Sequence, residues 1–408
     1  MIKKFIHTSD WHIGRKLKDF ERYDEFRKFF DWLENLIKIE NVDALFVSGD
    51  IFDNTTPSTQ SQEIYYSFLA KISKSNCRHV IIISGNHDSP TFLDAPSEIL
   101  NLCNIYVIGQ ACENPDDEII ILKDENEIPE MIVCAVPYLR DRDVRKLNSN
   151  DNSENIEQDL ISGITEHYSK IFEKAKILHD ELKIPVVAMG HLFAKGGSTK
   201  PDDGVRSLYV GTAVEIKSDI FSKQDFLTYT ALGHLHSAQK ILQENIRYSG
   251  SPLAMSFGEA EQKKSVYVIE LEDENLIEIK NIPVPVFQKL KRISGNKDEI
   301  VSKINEISSE NQLTWLDISY TGTEAIGFLL EQLNDFTKNF PNIEILSLKD
   351  ESKIFDNKDN PVINTEIFEK ITPLDILKLK FKEQQTPEET QEIMLRLYEE
   401  ILAQMEIN

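Results

Sequence analysis

Along the first two thirds of the chain, short apolar runs alternate with longer stretches in which apolar residues recur every three or four positions. Residues 4–8, 44–48, 80–84, 132–136, 186–189 and 229–232 are mostly β-branched or aliphatic, the composition of strands buried on both faces. Between the first two, Phe26, Phe29, Phe30, Leu33, Leu36 and Ile37 fall at helical spacing and predict a helix with one apolar face. Helices are also predicted over 59–73 and 156–182, with the almost wholly polar 148–154 as a surface loop. Beyond His236 the runs RYSGSPL, KSVYVIELED and LIEIKNI read as strands of a second sheet packed on the first.

The stretch NIPVPVF at 281–287 places two prolines in an extended connector and marks a boundary. A smaller α/β pattern follows, with a strand near 287–293, a helix near 297–307, the strand TWLDISY, a helix near 323–340 and the strand IEILSLKD. It carries no histidine and no cluster of metal-ligand residues, which suits a substrate-guiding or structural region. Past Asp350 the chain turns polar. Thr386, Pro387 and Glu389 then have the form of a capping box, and Ile393, Met394, Leu397, Tyr398, Ile401 and Leu402 make a wide apolar stripe on the last helix. That stripe either packs back on its own domain or binds a partner. The expected division is 1–283, 284–350 and 351–408.

A chain of 408 residues is long enough for about two to three domains and a sizeable core. Cys77, Cys103, Cys112 and Cys134 form no Cys-x-x-Cys pair and sit among apolar residues, which predicts reduced, buried thiols and no zinc-finger chemistry. No stretch approaches the roughly 18 apolar residues of a membrane span, so a soluble, cytoplasmic protein is expected. The net charge of −24 argues against a chain that grips nucleic acid unaided, because phosphate binding draws on clustered Lys and Arg. Metal ions or a basic partner can supply positive charge locally.

The chemistry lies where the strands of the first region end. HTSDWH carries Asp10 and His12, VSGDIFDN carries Asp50 and Asp53, IISGNHDS carries Asn86, His87 and Asp88, AMGHLF carries His191, and ALGHLH carries His234 and His236. Open α/β sheets bind ligands at the carboxyl ends of their strands, so these residues are expected to converge. Asp10, His12, Asp50, Asn86, His191, His234 and His236 supply two metal spheres of mixed oxygen and nitrogen donors. Strand alternation puts Asp10 and His12 on one face, and His234 and His236 on one face, the latter two serving different metals. Asp50 can bridge through its two oxygens, and Asn86 adds a neutral amide oxygen. Paired metals about 3.5–4 Å apart suit phosphoester hydrolysis: they polarise phosphoryl oxygens, acidify a water and stabilise the pentavalent transition state. The glycines before Asp50, Asn86, His191 and His234 are expected to let the chain turn tightly. Asp53 also suits a turn and Asp88 a helix cap. His7 is expected to face the core or a neighbouring strand, and His79, His167 and His179 to be surface or structural residues.

SDWH, GDIFDN, GNHD, MGH and GHLH together resemble the five phosphoesterase motifs of the calcineurin-like metallophosphoesterases. More narrowly, HTSDWHIGR, SGNHDSP, RSLYVGT and RYSGSPLAMSF resemble the SbcD family, nuclease subunits of bacterial SbcCD complexes and counterparts of the eukaryotic double-strand-break repair nuclease. The resemblance implies an α/β fold: a two-sheet sandwich flanked by helices, a small α/β capping domain and a C-terminal helical tail. It implies that Asp10, His12, Asp50 and His236 hold one manganese, and that Asp50, Asn86, His191 and His234 hold the other. Mg²⁺, Fe²⁺ or Zn²⁺ are possible at the same ligands. His87 would be a non-ligating acid that protonates the leaving oxygen or stabilises the transition state, oriented by Asp53. DNA ends, hairpins and single strands would be the substrates. The partner would be an SbcC-like coiled-coil ATPase, bound through 351–408, with a homodimer inside a heterotetramer.

Two other readings use the same residues. A phosphatase or cyclic-nucleotide phosphodiesterase could be built on this core, but its commonest phosphatase form would show Arg after the second motif and Glu after Gly-Asn-His, where this chain has Asn54 and Asp88. A non-catalytic scaffold would have lost ligands, and every expected ligand is present.

Overall fold

The structure is a computed structural model that describes residues 2–144, 153–198, 215–310, 312–322, 326–351, 391 and 394. In chain order its strands are β1 (Lys4–Thr8), β2 (Ala44–Ser48), β3 (His79–Ile83), β4 (Ile105–Ile108), β5 (Ile119–Lys123), β6 (Pro129–Ala135), β7 (Val186–His191), β8 (Tyr229–Gly233), β9 (Gln239–Ile241), β10 (Gln243–Tyr248), β11 (Ser265–Glu272), β12 (Asn275–Pro283), β13 (Lys289–Gly295), β14 (Thr314–Tyr320) and β15 (Ile343–Asp350). They form two six-stranded sheets, ordered β12-β11-β1-β2-β3-β4 and β5-β6-β7-β8-β10-β9, and one three-stranded sheet, β13-β14-β15. In the first sheet β1 to β4 pair in parallel and β11 runs antiparallel to β1. In the second, β6, β7, β8 and β10 are parallel.

The two large sheets pack face to face. Phe5, Phe46, Ile81 and Ile83 of the first meet Met131, Val133, Val187, Met189 and Tyr229 of the second. Neighbouring residues point the other way, as the two-residue period of a strand requires. Ile6, Leu45, Val47 and Ile82 bury against Phe26, Phe29, Phe30, Leu33, Phe68 and Leu69 of the helices Tyr23–Glu40 and Thr59–Ile72. Ile132, Cys134, Val186 and Ala188 bury against Ile164, Tyr168, Ile171 and Phe172 of the helix Ser153–Leu182. Covering both faces is what makes these strands read as continuous apolar runs.

The sheet membership differs from the sequence-based expectation. Of the runs after His236, those in β11 and β12 extend the first sheet from β1, and only the start of RYSGSPL, in β10, joins the second, beside β8. An antiparallel strand with an apolar run can add to either edge, and the pattern of one strand does not say which. Short β4 and β5 were not anticipated either. Of the cysteines, Cys77 and Cys134 are buried, but Cys103 is exposed and Cys112 half-buried; all four are free thiols. The predicted loop 148–154 lies outside the described residues as far as 152, and the long helix begins at Ser153.

The smaller α/β pattern forms the parallel sheet β13-β14-β15. The helices Lys297–Ser308 and Ile326–Thr337 pack on it through Ile300, Ile304, Ile307, Leu329 and Leu333. Met1–Asp350 make one compact unit and Glu351–Asn408 another. RSLYVGT, the tail capping box and the apolar stripe other than Met394 lie outside the described residues. No described helix is long and apolar enough to cross a membrane.

Candidate metal centre

Parallel strands of both sheets end at one place, and the chain that leaves them carries the chemistry. The β1–β2 pairing continues past the strand ends, with Asp10 N–H donating to the Gly49 carbonyl and His12 N–H to the Asp50 carbonyl, both at 2.9 Å. Asp10, His12 and Asp50 take left-handed backbone conformations with φ of 53°, 47° and 51°, and His234 has φ of 104°. Non-glycine residues adopt such angles at an energetic cost, and they cluster where a site demands a particular side-chain direction. Asp10 and His12 therefore do not share a face by strand alternation, nor do His234 and His236. Turns after β1 and β8 aim them.

The glycines also act differently from expectation. Gly49, at φ 87°, does make a turn. Gly85 and Gly233 are there for space: a Cβ on Gly85 would strike the Asp50 carboxylate, and one on Gly233 the Ser48 carbonyl. Close approach of the two sheets is what brings the histidines of one to the carboxylates of the other.

Asp50 is at the centre of the cluster. Its Oδ2 lies 3.5 Å from His12 Nε2 and 3.4 Å from His191 Nε2, while Oδ1 accepts the His87 N–H at 2.9 Å. On one side of it, His12 Nε2 faces His236 Nε2 at 3.1 Å, and the donors of Asp10, His12 and His236 all lie within 4.8 Å of one another. On the other, Asn86 Oδ1 is 3.0 Å from His191 Nε2 and 3.1 Å from His234 Nδ1. The Asp10 carboxylate also accepts the His234 N–H at 2.9 Å, which ties the two sides together. Asp10, His12, Asp50, His191, His234 and His236 are all buried.

Burial and mutual proximity set the charge states. Burial pushes Asp10 up; it would raise Asp50 too, but His191, then His12 and His87, hold Asp50 well below the usual carboxylate range. Burial disfavours a charged imidazole, and it takes His12 well down and His234, next to His191, to about 3. His191 moves the opposite way, to about 9, because the Asp50 carboxylate outweighs its burial. Asp50 and His191 thus favour opposite charges, at donors where a divalent cation would replace the imidazole's proton.

Carboxylate, amide and imidazole donors converging in a buried volume fit divalent cations. The groups behind them fit as well. His191 Nδ1 donates to the Ser48 carbonyl at 2.9 Å and His236 Nδ1 to Glu259 Oε1 at 3.1 Å, which makes each Nε2 the atom that would give up its proton to a cation. A third set, His12, Asp53 and His87, also lies within ligand distance, but Arg15 Nη1 is bonded to Asp53 Oδ1 at 2.9 Å, so a cation is already there.

His87 stands beside the cluster, its ring edge-on to His12 with centroids 4.8 Å apart. Its Nδ1 bonds the main-chain carbonyl of Asp53 at 2.9 Å. The Asp53 carboxylate is turned to Arg15 and lies 3.7 Å from His12 Nδ1. The contact between Asp53 and His87 is thus made by the Asp53 backbone. Asp88 is not a helix cap: fully buried, it accepts the N–H groups of Ile51, Phe52 and Gly85, and burial, then Asp50, pushes it up to about 7. His7 bonds Tyr229 Oη at 3.0 Å inside the core, His79 the Lys123 carbonyl, His167 the Glu118 carboxylate and His179 the Ile184 carbonyl. Arg15 and Glu259 were missed by sequence reasoning. A lone Arg in a turn and a lone Glu far from any motif histidine have no spacing to mark them.

The chain matches the family description Calcineurin-like phosphoesterase over residues 3–238 and Type 5 capsule protein repressor C-terminal domain over residues 286–385. It is 31% identical over 351 residues to the SbcD subunit of the SbcCD nuclease of Escherichia coli strain K12, covering 85% of this chain and 84% of that protein. To the SbcD subunit of Rhodobacter capsulatus it is 31% identical over 274 residues, 66% of each chain, and to that of Bacillus subtilis 29% over 347 residues, 83% of each.

Proposed function

The chain belongs to the calcineurin-like phosphoesterases and, within them, to the SbcD family, and from that premise we propose a two-metal DNA nuclease working as one subunit of a larger complex. It is a metal-dependent phosphodiester hydrolase, and its fold family implies a dinuclear metal site. Asp10, His12, Asp50 and His236 would hold one ion and Asp50, Asn86, His191 and His234 the other. The observation that carries this reading is the position of Asp50 Oδ2 between His12 Nε2 and His191 Nε2, at 3.5 and 3.4 Å. When bound, two divalent ions supply polarisation of the phosphoryl oxygens and a lowered pKa for the attacking water. The mixed donor set suits manganese, and Mg²⁺, Fe²⁺ or Zn²⁺ would use the same atoms.

The chain's own contribution to bond breaking is His87. Its Nδ1 faces a carbonyl, which can only accept, so Nδ1 keeps its proton. Donation to the leaving oxygen must come from Nε2, and the ring is then an imidazolium in the working state. Asp50 Oδ1 on the His87 N–H fixes the backbone from which the ring projects.

The substrates are DNA ends, hairpins and single strands, the partner is an SbcC-like coiled-coil ATPase, and the chain pairs with a second copy inside a heterotetramer in the cytoplasm. Residues 1–283 carry the nuclease, 284–350 cap it, and 351–408 dock the ATPase. A net charge of −24 suits a subunit that borrows DNA affinity from that partner. The test is manganese-dependent cleavage of a DNA hairpin, a chromogenic phosphodiester and a monoester, with and without the ATPase. Hydrolysis of the monoester in preference to both diesters would replace the nuclease with a phosphatase. Deleting 351–408 should spare the chromogenic reaction and abolish co-purification with the ATPase; an unchanged complex would leave the tail stripe packed on its own domain.

A further inference from the structure

The short turn Phe257–Glu259 reaches in two directions. Phe257 is buried in an apolar cluster with Leu17, from the segment that follows β1, and with Leu290 and Trp315 of the three-stranded sheet. Phe20 and Leu346 pack against the same cluster, with the Phe20 and Trp315 rings 5.9 Å apart. Two residues on, Glu259 has no exposed surface. Its Oε1 lies 3.1 Å from His236 Nδ1, and its Oε2 accepts the Met255 N–H at 3.0 Å and the ammonium of Lys264. Lys264 Nζ also reaches the His236 carbonyl at 3.1 Å and Ser251 Oγ at 2.9 Å.

A buried carboxylate is costly to leave without partners, and this one is fully engaged. Two of its engagements converge on one residue, His236, whose ring it bonds directly and whose carbonyl it reaches through Lys264. Holding the proton on Nδ1 leaves the Nε2 lone pair aimed at His12, 3.1 Å away. Leu17 comes five residues after His12 in the chain and Phe257 two before Glu259, so the segment bearing His12 and the turn behind His236 both rest on the small sheet through one cluster. The residues of that cluster come from no segment bearing Asn86, His191 or His234.

We propose that Glu259 is a positioning residue for His236, and that the seating of the three-stranded sheet on Phe257 and Leu17 sets, through Glu259, the metal affinity of the His12/His236 half of the centre. The inference rests on the two-metal reading, and its test separates the two. Metal-free full-length chain is titrated with Mn²⁺ alone by calorimetry, and the loaded samples are examined by electron paramagnetic resonance, where a coupled pair and a single Mn²⁺ give different signals. Wild type should bind at two sites and give the coupled signal; if it takes no Mn²⁺, the two-metal reading fails and this inference with it. Glu259→Ala should weaken one site about 10- to 100-fold, keep the other, and show the single-ion signal at one equivalent of added metal. Glu259→Gln combined with Lys264→Met keeps an acceptor for Nδ1–H without stranding a buried ammonium, and should recover affinity to within about tenfold of wild type, the lower edge of that range. Leu290→Ala, remote from every donor, should weaken the same site by a smaller factor. Wild-type affinity in Glu259→Ala, or equal weakening of both sites with a lowered melting temperature, overturns the positioning role. Loss in Glu259→Ala with none in Leu290→Ala overturns the link to the small sheet.

Discussion

The two halves of the donor cluster are held by different means. Around Asn86, His191 and His234 the support works through main-chain groups: the Ser48 carbonyl fixes His191, and one buried side chain, Asp88, ties the N–H groups of Ile51, Phe52 and Gly85 into one knot. Around Asp10, His12 and His236 the support is mostly side chain and charged, with Glu259 and Lys264 behind His236, and Arg15 and Asp53 beside His12. Strand pairing and the buried Asp88 fix the first kind, and replacing one surface or linker residue barely alters it. The second kind can be taken away one group at a time. The site is thus rigid on one side and tunable on the other, with Asp50 common to both.

The sharpest way to break the contrast is to remove what the halves share. Asp50→Ala should lose both metals and all hydrolysis, measured as metal content after dialysis and as phosphodiester turnover. The fold should survive, because the two sheets bury apolar cores that do not include Asp50. A variant that kept both metals and full activity would remove Asp50 from the centre.

Next in size is a change outside both halves. His87→Gln should bind metal and DNA nearly as wild type yet lose roughly 10²–10⁴-fold in turnover, the range for a general acid. His234→Gln removes a donor instead, so raising manganese should restore part of its activity. If added metal rescued His87→Gln as readily, His87 would be acting as a ligand.

What the sequence made legible follows the same division. The seven side chains of the cluster were legible because each sits next to an apolar run, and a strand end is a strong local signal. β1, β2 and β14 were predicted to the residue for a related reason, since their burial leaves an unbroken apolar signal, and β15 was predicted to the residue although only its first residue is buried. The manner in which donors are aimed was not legible, since left-handed angles at Asp10, His12 and Asp50 arise from the joining of β1 to β2 beyond their ends. Sheet membership was not legible either, because β11 adds to β1 through more than two hundred intervening residues. Glu259 and Arg15 act across shorter gaps, 23 and 38 residues, still too far for spacing to reveal their partners.

The smallest expected effect sharpens the role of Asp53, which the motif resemblance gives as orienting His87 and the geometry brings to His87 through its backbone. If its carboxylate oriented His87, Asp53→Asn would damage catalysis nearly as much as losing His87 itself. The structure has the Asp53 main-chain carbonyl on His87 Nδ1, and substitution of the side chain leaves a carbonyl in place. The carboxylate accepts from Arg15 at 2.9 Å and lies 3.7 Å from His12 Nδ1, beyond hydrogen-bond distance, and an amide oxygen can still accept from Arg15. Asp53→Asn should therefore lose less than about tenfold, below the usual range for groups behind a metal ligand, and mainly through the manganese concentration needed for half-activity. Asp53→Ala should lose more, because the Arg15 guanidinium beside His12 then loses this acceptor. Turnover at saturating manganese separates the two accounts: a fall of a hundredfold or more in Asp53→Asn would return the carboxylate to His87, and near wild-type turnover assigns it to the His12 side of the site.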